Sequence, residues 1–179
     1  RAPLAPYADP ESGAVAMTTA EVEAAIEAFI RAAERADAAG FDGVELHGAH
    51  NYLICEFLDS NNRREDGYGG DFAGRRRFLD SIIAGVRTRT RPDFQLGVRL
   101  SPERFGIDTG EALELAGSLM TGGDIDYLDM SLWDCWKQPL DPAFAGRPLI
   151  ELFTELPRGP AKLGVAGKIM SGSDVTRAF

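Results

Sequence analysis

The sequence predicts an α/β fold built on a parallel sheet. Three observations carry that prediction. Short apolar runs recur along the chain, amphipathic helical segments separate them in strict order, and the polar or glycine residues cluster just after each run. Strand–helix units in that order imply right-handed crossovers between parallel strands.

Residues 1–17, rich in Pro, Ala and Gly, read as an irregular arm. Thr18 and Glu21 have capping-box spacing, and Val22, Ala25, Ile26, Phe29, Ile30 and Ala33 share one face of the helix they open. Gly40 supplies its stop. FDGVELH (41–47) is the first buried strand. A helix from about Gly74 to Thr90 turns Phe78, Leu79, Ile82, Ile83 and Val86 inward, and FQLGVRL (94–100) is the second strand. Asp108 and Glu111 cap a helix with Leu113, Ala116, Leu119 and Met120 inward, and YLDMSL (127–132) is the third strand. Leu149, Leu152, Phe153 and Leu156 mark a short helix, LGVAG (163–167) the fourth strand, and a last helix begins near Ser173.

An open doubly wound sheet and a section of an eight-unit barrel both fit this order. No GxGxxG follows the first strand, which weakens the dinucleotide-binding version. His47, Arg99, Ser131 and Lys168 sit at or just beyond strand C-terminal ends, where both architectures place ligands. The net charge of −9 argues against nucleic acid or anionic lipid as a partner. No apolar run approaches the roughly 20 residues of a membrane span. Two distant cysteines, Cys55 and Cys135, fit buried free thiols in a reducing compartment, hence a cytoplasmic protein.

The chain has only two histidines, His47 and His50, both in HGAHNY. A helical turn there would put residues three apart on one face, with both imidazoles aimed at one atom. Two neutral imidazoles can each donate an N–H to one oxygen and polarise a carbonyl, and Tyr52 is placed to deliver a proton nearby. Packed histidines satisfied by backbone carbonyls are the plain alternative. A zinc site is the sharper rival, with Glu45 or Glu56 completing the ligands, but the sequence supplies no third histidine. In NRREDGYGGDFAGRRRF (62–78), Arg64, Asp66 and Arg75 are expected to form a brace that orders the loop. Arg99 inside a buried strand needs a partner, either a salt bridge or a bound electron-rich group. The strand–turn–helix VAGKIMSGSDV (165–175) offers backbone N–H groups and Lys168 to a phosphate.

GFDGVELHGAHNYLICEFL (40–58), then Asn62, Arg64, Asp66, Tyr68, Gly69 and Gly70, then RRRF (75–78), resemble the signature of the old yellow enzyme family. SLWDCWKQP and VAGKI resemble its later segments. The resemblance implies a parallel (β/α)8 TIM barrel with FMN at its C-terminal mouth, present here as roughly half a barrel, strands four to seven. It implies an oxidoreductase that takes hydride from NAD(P)H and reduces activated alkenes such as α,β-unsaturated carbonyl compounds. By position, His47 and His50 resemble the pair that binds the substrate's activating group, and Tyr52 the proton donor. Arg99 resembles the arginine at the flavin's pyrimidine edge, and Gly167 and Lys168 the turn beside the FMN phosphate. No metal is implied.

Asn51 stands where the family has glycine, the following loop is one residue shorter, and Ala73–Gly74 replace the family's Glu-Asn. Barrels of this kind need about 250 residues. The chain opens on Arg1, so residues 1–179 are expected to be one partial barrel domain of a longer protein, weak in FMN binding by itself. A small-molecule substrate is expected, and a homo-oligomer of the full-length protein stays open. So do three alternatives: the flavin barrel of a larger dienoyl-CoA reductase or amine dehydrogenase, a truncated non-catalytic paralogue acting as an interaction module, and a metal-dependent hydrolase.

Overall fold

The computed structural model describes residues 2–178. Four strands form one parallel sheet in the order β3 (Gly43–Gly48), β4 (Gln95–Leu100), β5 (Tyr127–Ser131) and β6 (Lys162–Ala166). Before them, β1 (Leu4–Ala5) pairs in parallel with β2 (Val15–Ala16), so the arm is not wholly irregular. Backbone N–H groups of Val15 and Met17 donate across it to the carbonyls of Pro3 and Ala5.

The helix α1 (Thr19–Ala38) starts at the expected capping box. Thr18 Oγ1 accepts from Glu21 N at 3.2 Å, and the Glu21 carboxylate accepts from Thr18 N at 2.9 Å. A six-residue helix that the sequence reading lacked, α2 (Leu53–Leu58), follows β3 and buries Ile54, Cys55, Phe57 and Leu58. It is too short for a periodic pattern, and Tyr52 at its N-cap makes no side-chain capping bond. The next helix, α3 (Phe72–Arg89), starts two residues before the expected Gly74, because Asp71 Oδ1 accepts from Gly74 N at 2.8 Å and fixes the cap earlier. It is followed by α4 (Thr109–Gly122), capped by Asp108, then α5 (Leu149–Thr154) and α6 (Gly172–Ala178).

One face of the sheet is apolar. Leu46, Leu96, Val98, Leu100, Leu128 and Met130 are buried with Phe78, Leu79, Ile82 and Leu115 from the helices. Phe57 and Phe78 stack at 4.0 Å between ring centroids, and Phe29 meets Phe78 edge-on at 6.1 Å. The opposite face is polar. Register aligns His47 with Arg99 and Arg99 with Asp129, so three charged or titratable side chains stand in one row. Among the described residues no helix is long and apolar enough to cross a membrane.

The loop after α2 is braced differently from expectation. Arg64 pairs with Asp66 and donates from Nη1 to the carbonyls of Pro6 (2.8 Å) and Met17 (2.6 Å), tying the arm to the loop. Arg75 does not join that brace. It donates to Gly70 O at 2.6 Å and pairs with Glu111 at the start of α4, because it lies on the buried face of α3.

Candidate active site

The six non-glycine residues with positive φ among the described residues fall in the loops after the four strands of the main sheet. They are His50 and Asn51 after β3, Arg104 and Phe105 after β4, Trp133 after β5 and Lys168 after β6. Each such residue costs on the order of 1 kcal/mol or more, and strain of this kind gathers where a fold handles ligands.

The two histidines converge, but not through a helical turn. His47 is on β3, and the chain then turns through His50 (φ 59°) and Asn51 (φ 60°) before α2 begins at Leu53. Asparagine tolerates the left-handed conformation that glycine adopts freely, so Asn51 keeps the turn where the family pattern has glycine. The His47 ring lies 5.2 Å from that of His50, tilted by 50°. It also lies 5.2 Å from the ring of Tyr52, edge to face. Tyr52 is exposed.

Both imidazoles are held below the ordinary histidine pKa. For His47 the cause is burial, then the Arg99 cation. For His50 it is burial, then His47 and Arg99, with Asp129 opposing. Each ring is therefore neutral at pH 7 and offers one N–H donor. His50 N donates to Ser101 Oγ at 3.1 Å, and His50 Nε2 lies 2.8 Å from Ser131 Oγ.

Arg99 has found a protein partner. Its Nε stands 3.2 Å from Asp129 Oδ2, and its Nη2 donates to Ser131 Oγ at 3.3 Å. The Nε is nonetheless buried without a hydrogen bond, an unsatisfied donor beside the polar face. That orphan donor and the guanidinium suit an electron-rich planar group such as FMN lying on this face.

Gly167 and Lys168 sit apart from the histidines, in the turn after β6. Gly167 O accepts from Cys135 N at 3.2 Å, and a Cβ at Gly167 would meet the backbone of residues 133–135 at 3.1–3.2 Å. The Lys168 ammonium pairs with Asp134 at 3.0 Å and is exposed. Sequence reasoning named Ser131 by its place at a strand end but gave it no partner, and it missed Asp129 and Ser101. Alternation along β5 puts Tyr127, Asp129 and Ser131 on one face, which was the available signal. Among the described residues no group of three His, Cys, Asp or Glu could hold a metal ion, so the hydrolase alternative lacks a ligand set.

Residues 3–140 match the model of the NADH:flavin oxidoreductase / NADH oxidase family. The chain belongs to this family. The chain is 34% identical over 174 residues to NADH:acrylate oxidoreductase of Vibrio harveyi, covering 92% of the chain and 17% of that protein. It is 43% identical over 119 residues to an NADPH dehydrogenase of a Geobacillus strain, covering 64% of the chain and 34% of that protein. Its fold matches the old yellow enzyme homologue of Zymomonas mobilis with a TM-score of 0.74 and 27% identity, over 95% of this chain and 52% of that one. The chain thus spans about half of that structure and less than half of these curated relatives. The expectations of an oxidoreductase family, of FMN with NAD(P)H, and of a partial α/β barrel agree with these likenesses.

Proposed function

We propose that this chain carries the substrate-binding half of an FMN-dependent oxidoreductase site that uses NAD(P)H to reduce activated alkenes. The observation that supports it most is the convergence of two neutral imidazoles, 5.2 Å apart, beside an exposed tyrosine. FMN, when bound, supplies the hydride chemistry. His47 and His50 each donate an N–H to the oxygen of the alkene's activating group and draw electron density from the double bond. The Tyr52 hydroxyl, at the open rim, gives the proton to the α-carbon. Arg99 would hold FMN by placing its positive charge against an electron-rich edge of the ring system. Gly167 and Lys168 are assigned to the phosphate end through their backbone, since the lysine side chain is engaged by Asp134.

The test is Tyr52→Phe in the full-length protein, with the two half-reactions measured separately. Flavin reduction by NAD(P)H stays near wild type, and alkene reduction slows by about a hundredfold or more, the usual range for losing a general acid. Equal loss of both half-reactions removes the proton-donor role. The small share of the Vibrio relative that the chain covers suits a flavin barrel carried within a larger enzyme. The free, buried cysteines suit a cytoplasmic setting.

A further inference from the structure

We propose that Ser131 fixes the tautomer of His50, leaving Nδ1–H as the donor this ring offers to a ligand. The Ser131 hydroxyl has one proton to give and two lone pairs. Arg99 Nη2 donates into one lone pair at 3.3 Å. A guanidinium accepts nothing, and among the described residues His50 Nε2, at 2.8 Å, is the one group in hydrogen-bond contact with this hydroxyl that can accept its proton. The adjacent cation strengthens that direction, since it polarises the O–H bond and disfavours a protonated ring. His50 Nε2 therefore keeps its lone pair, and the ring proton resides on Nδ1.

The neighbouring groups hold this arrangement in place. Asp129, two residues before Ser131 on the same face of β5, anchors the Arg99 guanidinium at 3.2 Å. The His50 backbone is held from β4's end by Ser101 Oγ at 3.1 Å. A relay Asp129–Arg99–Ser131–His50 thus joins β5 and β4 to the loop after β3 and ends on a ring nitrogen. Ser131 acts through His50 and is a positioning residue. The tautomer follows from these contacts alone, whereas its use on substrate rests on the function proposed above.

The experiment is nitrogen NMR on the full-length protein labelled with 15N-histidine, at about pH 8, where the ring is neutral. His50 is assigned by the resonances lost in His50→Gln. The expected spectrum has Nδ1 in the protonated range and Nε2 in the unprotonated range. Ser131→Ala moves both toward averaged values, and Ser131→Thr, which keeps a hydroxyl, restores the split. In turnover, Ser131→Ala raises KM for the alkene about three- to tenfold while flavin reduction by NAD(P)H changes little, the scale of one lost hydrogen bond. A protonated Nε2 in the wild type overturns the proposal, and so does a threonine variant no better than alanine. If the tautomer shifts as expected and KM does not, the Ser131 assignment stands and the reading of His50 as a substrate donor falls.

Discussion

The phenol ring of Tyr127 occupies the space that a Cβ on Gly97 would need. The two residues are register partners on β4 and β5, and both face the polar side of the sheet below Arg99 and Asp129. Glycine is required here by close approach, because its backbone φ is unexceptional. Gly97→Ala should destabilise the protein by about 1–3 kcal/mol, the usual cost of overpacking. A urea melt would show a lower midpoint with an unchanged slope. An alanine variant as stable as wild type would mean that Tyr127 does not sit there.

Burial and Arg99 together keep His47 and His50 neutral. Both should titrate below 6.5 in a pH series followed by NMR. Arg99→Met should raise both midpoints, though not fully to 6.5, because burial is the larger cause and remains. The sign for stability follows. With the folded pKa below the unfolded one, the unfolded chain binds more protons as pH falls through 6.5, so the histidines' contribution is intact above that pH and is lost on acidification. Midpoints at or above 6.5 in the wild type would contradict the neutral pair.

How much was legible depended on whether the signal was local. The cap at Thr18 and Glu21 is written in four consecutive residues, and the structure contains both of its hydrogen bonds. The strands were legible because each is an apolar run bounded by turns. The meeting of His47 and His50 was legible in outline, yet the expected helical turn was wrong. Left-handed backbone at two non-glycine residues, His50 and Asn51, has no reliable sequence mark. Arg75 was expected beside Arg64 and Asp66 and instead reaches Glu111, 36 residues on. The Ser131 contact to His50 spans 81 residues and depends on sheet register, which no short window contains.

Glu103 is a buried carboxylate that clasps two loops together. It pairs with the Lys137 ammonium and accepts from Leu140 N at 2.7 Å, with its side chain only 4% exposed. The clasp joins the loop after β4 to the loop after β5, the two that carry Arg104, Phe105 and Trp133. Glu103→Ala leaves the lysine charge without its carboxylate, with only the Gln138 carbonyl at 3.5 Å, and should cost about 3 kcal/mol. Glu103→Leu combined with Lys137→Met should recover much of that loss, since apolar replacement of a buried pair is often tolerated. A single variant with wild-type stability would show the pair to be idle.

Cys55 lies fully buried on α2, and burial pushes its thiol up to about 11. At pH 8 roughly one molecule in a thousand would carry the reactive thiolate, and that one is shielded from solvent. Iodoacetamide should therefore label Cys55 no faster than the protein unfolds, and urea should accelerate labelling in step with the unfolding transition. Rapid labelling of the native protein would place this helix at the surface.

Arg64 holds the arm at residues 2–17 by two attachments, the Pro6 and Met17 carbonyls, and is itself anchored in its loop by the Asp66 carboxylate. Asp66 is itself held well below the usual carboxylate range, near 2, chiefly by its hydrogen bonds from Arg64. Lysine cannot reproduce this. Its ammonium is a single point of charge, whereas the guanidinium reaches two carbonyls and a carboxylate in one plane. Arg64→Lys and Arg64→Ala should both free the arm, and limited proteolysis should then cut within residues 2–17 at least several times faster than in wild type. The sheet should persist, because Arg64 touches none of its four strands, so the far-ultraviolet circular dichroism should change little. Cleavage at the wild-type rate would show that other contacts, such as the Tyr7 hydroxyl donating to the Asp59 carboxylate, hold the arm without Arg64.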